Sequence, residues 1–114
     1  MTVSSIDTDK VFSALADKNR RKVVELLHKK EASIQELLPF FSVSFQGLSK
    51  HIKVLEDAQV VRKKRDGKFM MCSLNREALQ ESLQWMERYS KLWQASFDTL
   101  ERLIEDEKKS TDEQ

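Results

Sequence analysis

The segment Val43–Ala58, VSFQGLSKHIKVLEDA, carries residue types that can do chemistry on a polyanion. Wound as a helix, it sets Leu48, Ile52 and Leu55 along one side at i, i+4, i+7 spacing. Gln46, Ser49, Lys50 and Lys53 fall on the opposite side, and Ser44 stands where an N-cap should. Amide, hydroxyl and ammonium groups in the first two turns suit phosphate oxygens and base edges in a DNA major groove. Gln46, Ser49 and Lys50 are the candidates for base edges. Ser44, His51 and Lys53 are the candidates for phosphates. His51 borders the buried stripe, where its ring can pack while one nitrogen reaches a phosphate, or be satisfied by backbone or solvent. This window alone also fits a solvated surface helix.

The downstream residues narrow that choice. Val60–Arg65 (VVRKKR), then Asp66-Gly67, then Lys68–Leu74 (KFMMCSL) predict two strands joined by a two-residue turn, because Asp-Gly tolerates the positive φ of a tight hairpin. Arg62, Lys63, Lys64, Arg65 and Lys68 crowd its tip. Five cations beside one turn repel each other, and a polyanion would relieve that repulsion. A polar-faced helix followed by a basic hairpin is the layout of a winged helix-turn-helix.

Those residues must be held by a small scaffold. At 114 residues the chain supports one domain, expected over 1–114 with a core from 8 to 106, and a core of that size gains from oligomerisation. The net charge of +1 hides an asymmetry: residues 18–68 hold 13 Lys/Arg against 6 Asp/Glu, while the remainder holds 7 against 13. A basic middle between acidic flanks argues for one anion-binding surface. The single cysteine, Cys72, rules out an internal disulfide framework and fits a reducing cytoplasm. No apolar run reaches membrane-spanning length, and MTVSSIDTDK has no signal-peptide core. A cytoplasmic protein is expected.

The elements follow from periodicity and caps. Residues 1–6 are expected to fray. A first helix is predicted over Asp7–Ala16 with Val11, Phe12 and Leu15 on one side, and a second from the cap Asp17 to about His28 with Val23, Leu26 and Leu27 inward. Glu31-Ala32 reads as a turn. Ser33 caps a short helix carrying Ile34, Leu37 and Leu38, which Pro39 helps to end. That helix, the connection Phe40–Val43 and the helix after Ser44 form the helix-turn-helix. Asn75 is expected to cap a last helix from Arg76 to about Asp106, roughly 45 Å long, before a disordered tail over 107–114.

The apolar set of that last helix is Leu79, Leu83, Trp85, Met86, Tyr89, Leu92, Trp93, Phe97, Leu100, Leu103 and Ile104. At 100° per residue it covers about half the circumference, wider than the stripe of about 100° that one core requires. The excess needs a second surface, most simply another copy of the same helix. Trp85, Tyr89, Leu92, Trp93, Phe97 and Leu100 are the expected dimerisation residues. The fold class predicted is mainly α with a small β-hairpin wing and a long C-terminal dimerisation helix.

The chain resembles the ArsR-type winged-helix repressors of bacteria from about Val11 to Ile104. The resemblance rests on FSALADKNRRKVVELL (12–27), SIQELLPFFSVSFQGLSKHIKVLEDAQVV (33–61) and DGKFMMCSLN (66–75), with SKHIKVLEDA as its most specific piece. WMERYSKLWQASFDTLERL looks like the metal-independent, autorepressor-like branch. The resemblance implies a homodimer that binds palindromic operator DNA and represses transcription. There are departures: Lys18 stands where many relatives have proline, Gln59 where they have glycine, and Met71 and Cys72 where an aromatic pair is common. Phe45-Gln46-Gly47 differ from the common first turn, so operator preference does not carry over, and no inducer is implied.

Other chemistries fit poorly. The metal-sensing branch uses paired cysteines before the recognition helix or His/Asp/Glu sets on the terminal helix. IQELLPFF has no cysteine and the terminal helix has no histidine, so no metal and no cofactor are expected. Met70, Met71 and Cys72 alternate faces on a strand and cannot converge on one ion. A redox role for Cys72 needs an exposed thiol of low pKa. His28, near a helix end, is explained by the dipole. An enzyme needs a nucleophile–base pair or clustered carboxylates, against two His and one Cys here. The serious alternative is a protein-interaction adaptor built on the aromatic helix, which would have no use for a cationic reading face and wing.

Overall fold

The computed structural model describes residues 6–112, with side chains described through Lys108. The elements run α1 (Thr8–Ala14), α2 (Lys18–Lys29), β1 (Ala32–Ser33), α3 (Ile34–Leu37), a 3-10 turn (Leu38–Phe40), α4 (Phe45–Asp57), β2 (Val61–Asp66), β3 (Phe69–Leu74) and α5 (Arg76–Asp112). Two compact units divide the chain, one ending at Ser82 and one starting at Leu83. The fold is a winged helix-turn-helix, mainly α with a three-stranded antiparallel sheet in the order β1-β3-β2.

Side-chain caps set the helix starts. Asp7 Oδ1 accepts from Asp9 N (3.0 Å) and Lys10 N (3.3 Å). Asp17 Oδ1 accepts from Asn19 N (2.8 Å) and Arg20 N (3.2 Å). Those backbone N–H groups, Arg20's first, hold the Asp17 carboxyl below its ordinary pKa, because they favour the charged form. Ser33 and Glu36 form a reciprocal capping box at α3.

The core of the first unit takes Val11, Val23, Leu27, Ile34, Leu37, Leu48, Ile52, Leu55, Val60, Val61 and Cys72, all buried. Several expectations need correction. Ile6, placed in the frayed N-terminus, is buried with the core. It precedes the cap of α1 and pairs in position with Val11 as a hydrophobic staple does. Residues 1–5 lie outside the described residues. In α1, Ala14 is buried beside Val11, whereas Phe12 and Leu15 are half-buried, as is Leu26 in α2.

Ala32 belongs to a strand and not to a turn: Ala32 pairs with Cys72 and Ser33 with Met71. The pairing uses the inner edge of β3, which β2 leaves open. The hairpin turn is shifted by one residue, since Asp66 pairs with Phe69. Its loop is Gly67-Lys68, with Gly67 at φ +61°, and glycine at the first of two loop positions is the type II′ preference. The last helix does not stop near Asp106 but continues to Asp112. EKKSTD holds neither Gly nor Pro to end it. Residues 113–114 lie outside the described residues.

Candidate nucleic-acid interface

The geometry of α4 begins at Ser44, whose Oγ accepts from Gly47 N at 3.0 Å. Leu48, Ile52 and Leu55 are fully buried, which fixes the rotation of the helix. Gln46, Lys50 and Lys53 are thereby turned outward, with Ser49 half-buried between them. Lys22 steadies the turn before the helix: its Nζ donates to Phe40 O and lies 5.1 Å from the Phe41 ring centroid. One apolar side chain, Phe45, occupies the first helical position and is 44% exposed. Phe45 is not among the residues expected at base edges or phosphates.

Beyond α4 the chain turns sharply into the wing. Val60 N donates to Leu55 O (2.9 Å) and Gln59 N to Glu56 O (2.9 Å), the paired bonds of a Schellman motif. Gln59 takes φ +63° there. Glycine adopts that conformation freely, whereas a side-chain-bearing residue is disfavoured by about 1–2 kcal/mol. Asn75 Nδ2 donates to Gln59 O at 2.8 Å and Asn75 N to Val60 O at 2.8 Å, so the residue before α5 braces this strained corner.

The cations of the two elements are not equivalent. Lys53 Nζ lies 3.0 Å from Asp57 Oδ1 and 3.8 Å from Glu56 Oε1, although its side chain is 62% exposed. The Asp57 hydrogen bond, foremost, raises its pKa above the ordinary lysine value. A phosphate must therefore compete with Asp57 for it. Lys63 is only 20% exposed and its Nζ lies 3.7 Å from Glu56 Oε1, on the α4 side of the wing. Strand alternation explains this: Val61, Lys63 and Arg65 share one face of β2, and Arg62 and Lys64 share the other. Among the described residues no ion pair engages Lys50, Arg62, Lys64, Arg65 or Lys68. These five are available to an anion.

His51 is half-buried and is tied to residues of the segment before α2 and of α2 itself. Its Nδ1 lies 3.3 Å from Arg20 Nη1 and 4.0 Å from Asp17 Oδ1. Cys72 is fully buried, and burial pushes its thiol pKa up, with Glu56 adding to the rise and Lys63 opposing it. Such a thiol lacks the exposure and the thiolate character of a redox switch. Met70, beside it, is exposed and Met71 is half-buried.

The second unit is the distal part of α5. Leu83, Trp85, Met86, Tyr89, Leu92, Trp93, Phe97, Leu100, Leu103 and Ile104 are all exposed in the single chain, Leu92 and Phe97 by 63% each. Trp85, Tyr89 and Trp93 stack at i, i+4 spacing with ring centroids 4.2 and 6.1 Å apart. Among the described residues no helix is long and apolar enough to cross a membrane.

Comparison with known proteins agrees with this geometry. A helix-turn-helix domain family matches residues 15–64. Over 76 residues the chain is 36% identical to the transcriptional repressor SdpR of Bacillus subtilis (strain 168), covering 67% of this chain and 84% of that protein. It is 37% identical over 87 residues to YuzN, an HTH-type transcriptional regulator of the same organism, covering 69% and 95%. Among solved structures, the ArsR family transcriptional regulator RHA00566 superposes with a TM-score of 0.70 at 29% identity, covering 77% of this chain and 98% of that one.

Proposed function

Because this chain belongs to the ArsR-type family of winged helix-turn-helix transcriptional regulators, we propose that all 114 residues serve one module: a cytoplasmic, homodimeric repressor that binds approximately palindromic operator DNA. The observation that carries this reading is chemical. The exposed side of α4 and the wing that follows it hold five cations that make no ion pair among the described residues, next to the amide of Gln46 and the hydroxyl of Ser49. Gln46 can give paired donor and acceptor groups to adenine, and Lys50 can donate to guanine. Phe45, exposed beside them, suits the methyl group of thymine.

Ser44, His51 and Lys53 contact phosphates in this reading, Lys53 by exchanging Asp57 for one. Arg62, Lys64, Arg65 and Lys68 track the backbone or minor groove, while Lys63 holds the wing to Glu56 and contributes to the field. Trp85, Tyr89, Leu92, Trp93, Phe97 and Leu100 join two copies. An adaptor that binds only protein through the aromatic helix has no need of that cationic surface.

Salt separates the two readings. Each neutralised phosphate contributes about −0.9 to the slope of log K against log salt. With five available cations per protomer, we expect binding to random-sequence duplex with a slope steeper than about −4. Fluorescence anisotropy across a salt titration measures it. A duplex left unbound at low salt would favour the adaptor.

A further inference from the structure

Arg20 joins three helices through one side chain. It sits in the first turn of α2, and its Nε donates to Ala14 O at 2.6 Å while Nη2 donates to Ser13 O at 3.4 Å. Both carbonyls belong to the last turn of α1. The remaining nitrogen, Nη1, lies 3.3 Å from Nδ1 of His51, thirty-one residues away on α4. A guanidinium keeps its protons and has no lone pair to offer, so it can only donate. With Nη1–H donating, His51 Nδ1 is the acceptor, a role open to the tautomer that carries its hydrogen on Nε2.

Asp17 pulls the other way, because a carboxylate near Nδ1 favours a proton there. Its Oδ1 is 4.0 Å from Nδ1, beyond hydrogen-bond range, and already accepts from two backbone N–H groups at 2.8 and 3.2 Å. Arg20 Nη1, at 3.3 Å, is the nearer of the two groups to Nδ1. The ring is held on its Nδ1 side by Arg20 and is 22% exposed, and Nε2 is its other nitrogen.

We propose that Arg20, outside the DNA-facing set, is a positioning residue for His51: it fixes the Nε2–H tautomer so that this N–H donates to a DNA phosphate oxygen. The proposal rests on the reading of α4 as the recognition helix. Without Arg20, His51 is free to place its proton on Nδ1 toward Asp17. Nε2 then presents a lone pair, which a phosphate oxygen repels.

The test has a part that needs no DNA. Two-bond 1H–15N correlation spectra of the full-length protein at about pH 8, where imidazoles are ordinarily neutral, distinguish the two tautomers. We expect the Nε2–H form in the wild type and loss of that preference in Arg20→Met, with Arg20→Lys restoring it in part. Duplex affinity is then measured for Arg20→Met, His51→Ala and the double variant. Arg20→Met should weaken binding about tenfold, the scale of one hydrogen bond to a charged group. It should weaken it little further in the His51→Ala background. A wild-type ring carrying hydrogen on Nδ1 overturns the proposal, and that observation requires no variant to fold. An equal loss in both backgrounds also overturns it, since Arg20 would then act on the packing of α1 and not through His51. Failure of the wild type to bind any duplex, with the Nε2–H tautomer observed, would instead count against α4 as a recognition helix.

Discussion

In the proposed homodimer, replacing Trp93 and Phe97 together with glutamate is expected to leave a monomer at micromolar concentration. Both side chains are more than half exposed in the single chain, and they share α5 with eight other exposed large apolar residues from Leu83 to Ile104. An exposed apolar patch of that extent marks an interaction site. In a two-fold interface each substitution occurs twice. Burying a large apolar side chain contributes about 1.5–3 kcal/mol, so four removals shift the dimer constant by several powers of ten. Four new carboxylates facing each other add repulsion.

The first unit keeps its buried core, so the variant should remain folded by circular dichroism. Its affinity for a two-half-site duplex should fall by about 100-fold or more, because linkage of two reading heads supplies that factor through effective concentration. Sedimentation equilibrium on both proteins checks the first step. A variant that stays dimeric would move the interface away from this part of α5.

The recognition helix and the wing should fail in different ways. Gln46→Ala or Lys50→Ala is expected to cost about 1–3 kcal/mol on the cognate duplex and little on random sequence. Replacing Arg62, Lys64 and Lys68 together with alanine should weaken both and flatten the salt slope by up to about one unit per lost phosphate contact. The geometry of the ion pairs sharpens this expectation. Lys63 is held at 3.7 Å from Glu56 and is 20% exposed, so Lys63→Ala should change the slope less than loss of any of the three exposed cations. Equal losses on cognate and random duplex for Gln46→Ala and Lys50→Ala would refute the division between reading bases and reading charge.

The parts of this molecule legible in its sequence are those set by local rules. Ser33, Ser44 and Asp17 cap where their side chains predict, because a cap needs only a hydroxyl or carboxyl and the next three N–H groups. Leu48, Ile52 and Leu55 declare the inner face of α4 by spacing alone. What the sequence hides depends on partners far along the chain. A two-residue strand such as Ala32-Ser33 has no period to detect, and it exists only because β3 offers it an edge. Lys63 reads as one of five equivalent wing cations until Glu56, on α4, is seen to face it. Arg20 carries no local signal at all, since its contact to His51 crosses thirty-one residues. The wing register slipped by one position because Asp66 and Gly67 both favour turns, and only strand pairing decides which of them closes the loop.

Selection of bound duplexes from a random pool by the full-length protein tests the central claim most directly, because it asks whether α4 and the wing read DNA and whether they do so in pairs. Two symmetric copies, each placing one recognition helix in a major groove, must contact successive turns of the same face, about 34 Å apart. The account predicts enrichment of an inverted repeat whose half-site centres are separated by about 10 base pairs, with the enrichment lost in Gln46→Ala. A pool that returns no enriched sequence, or one asymmetric site without a repeat, would contradict it.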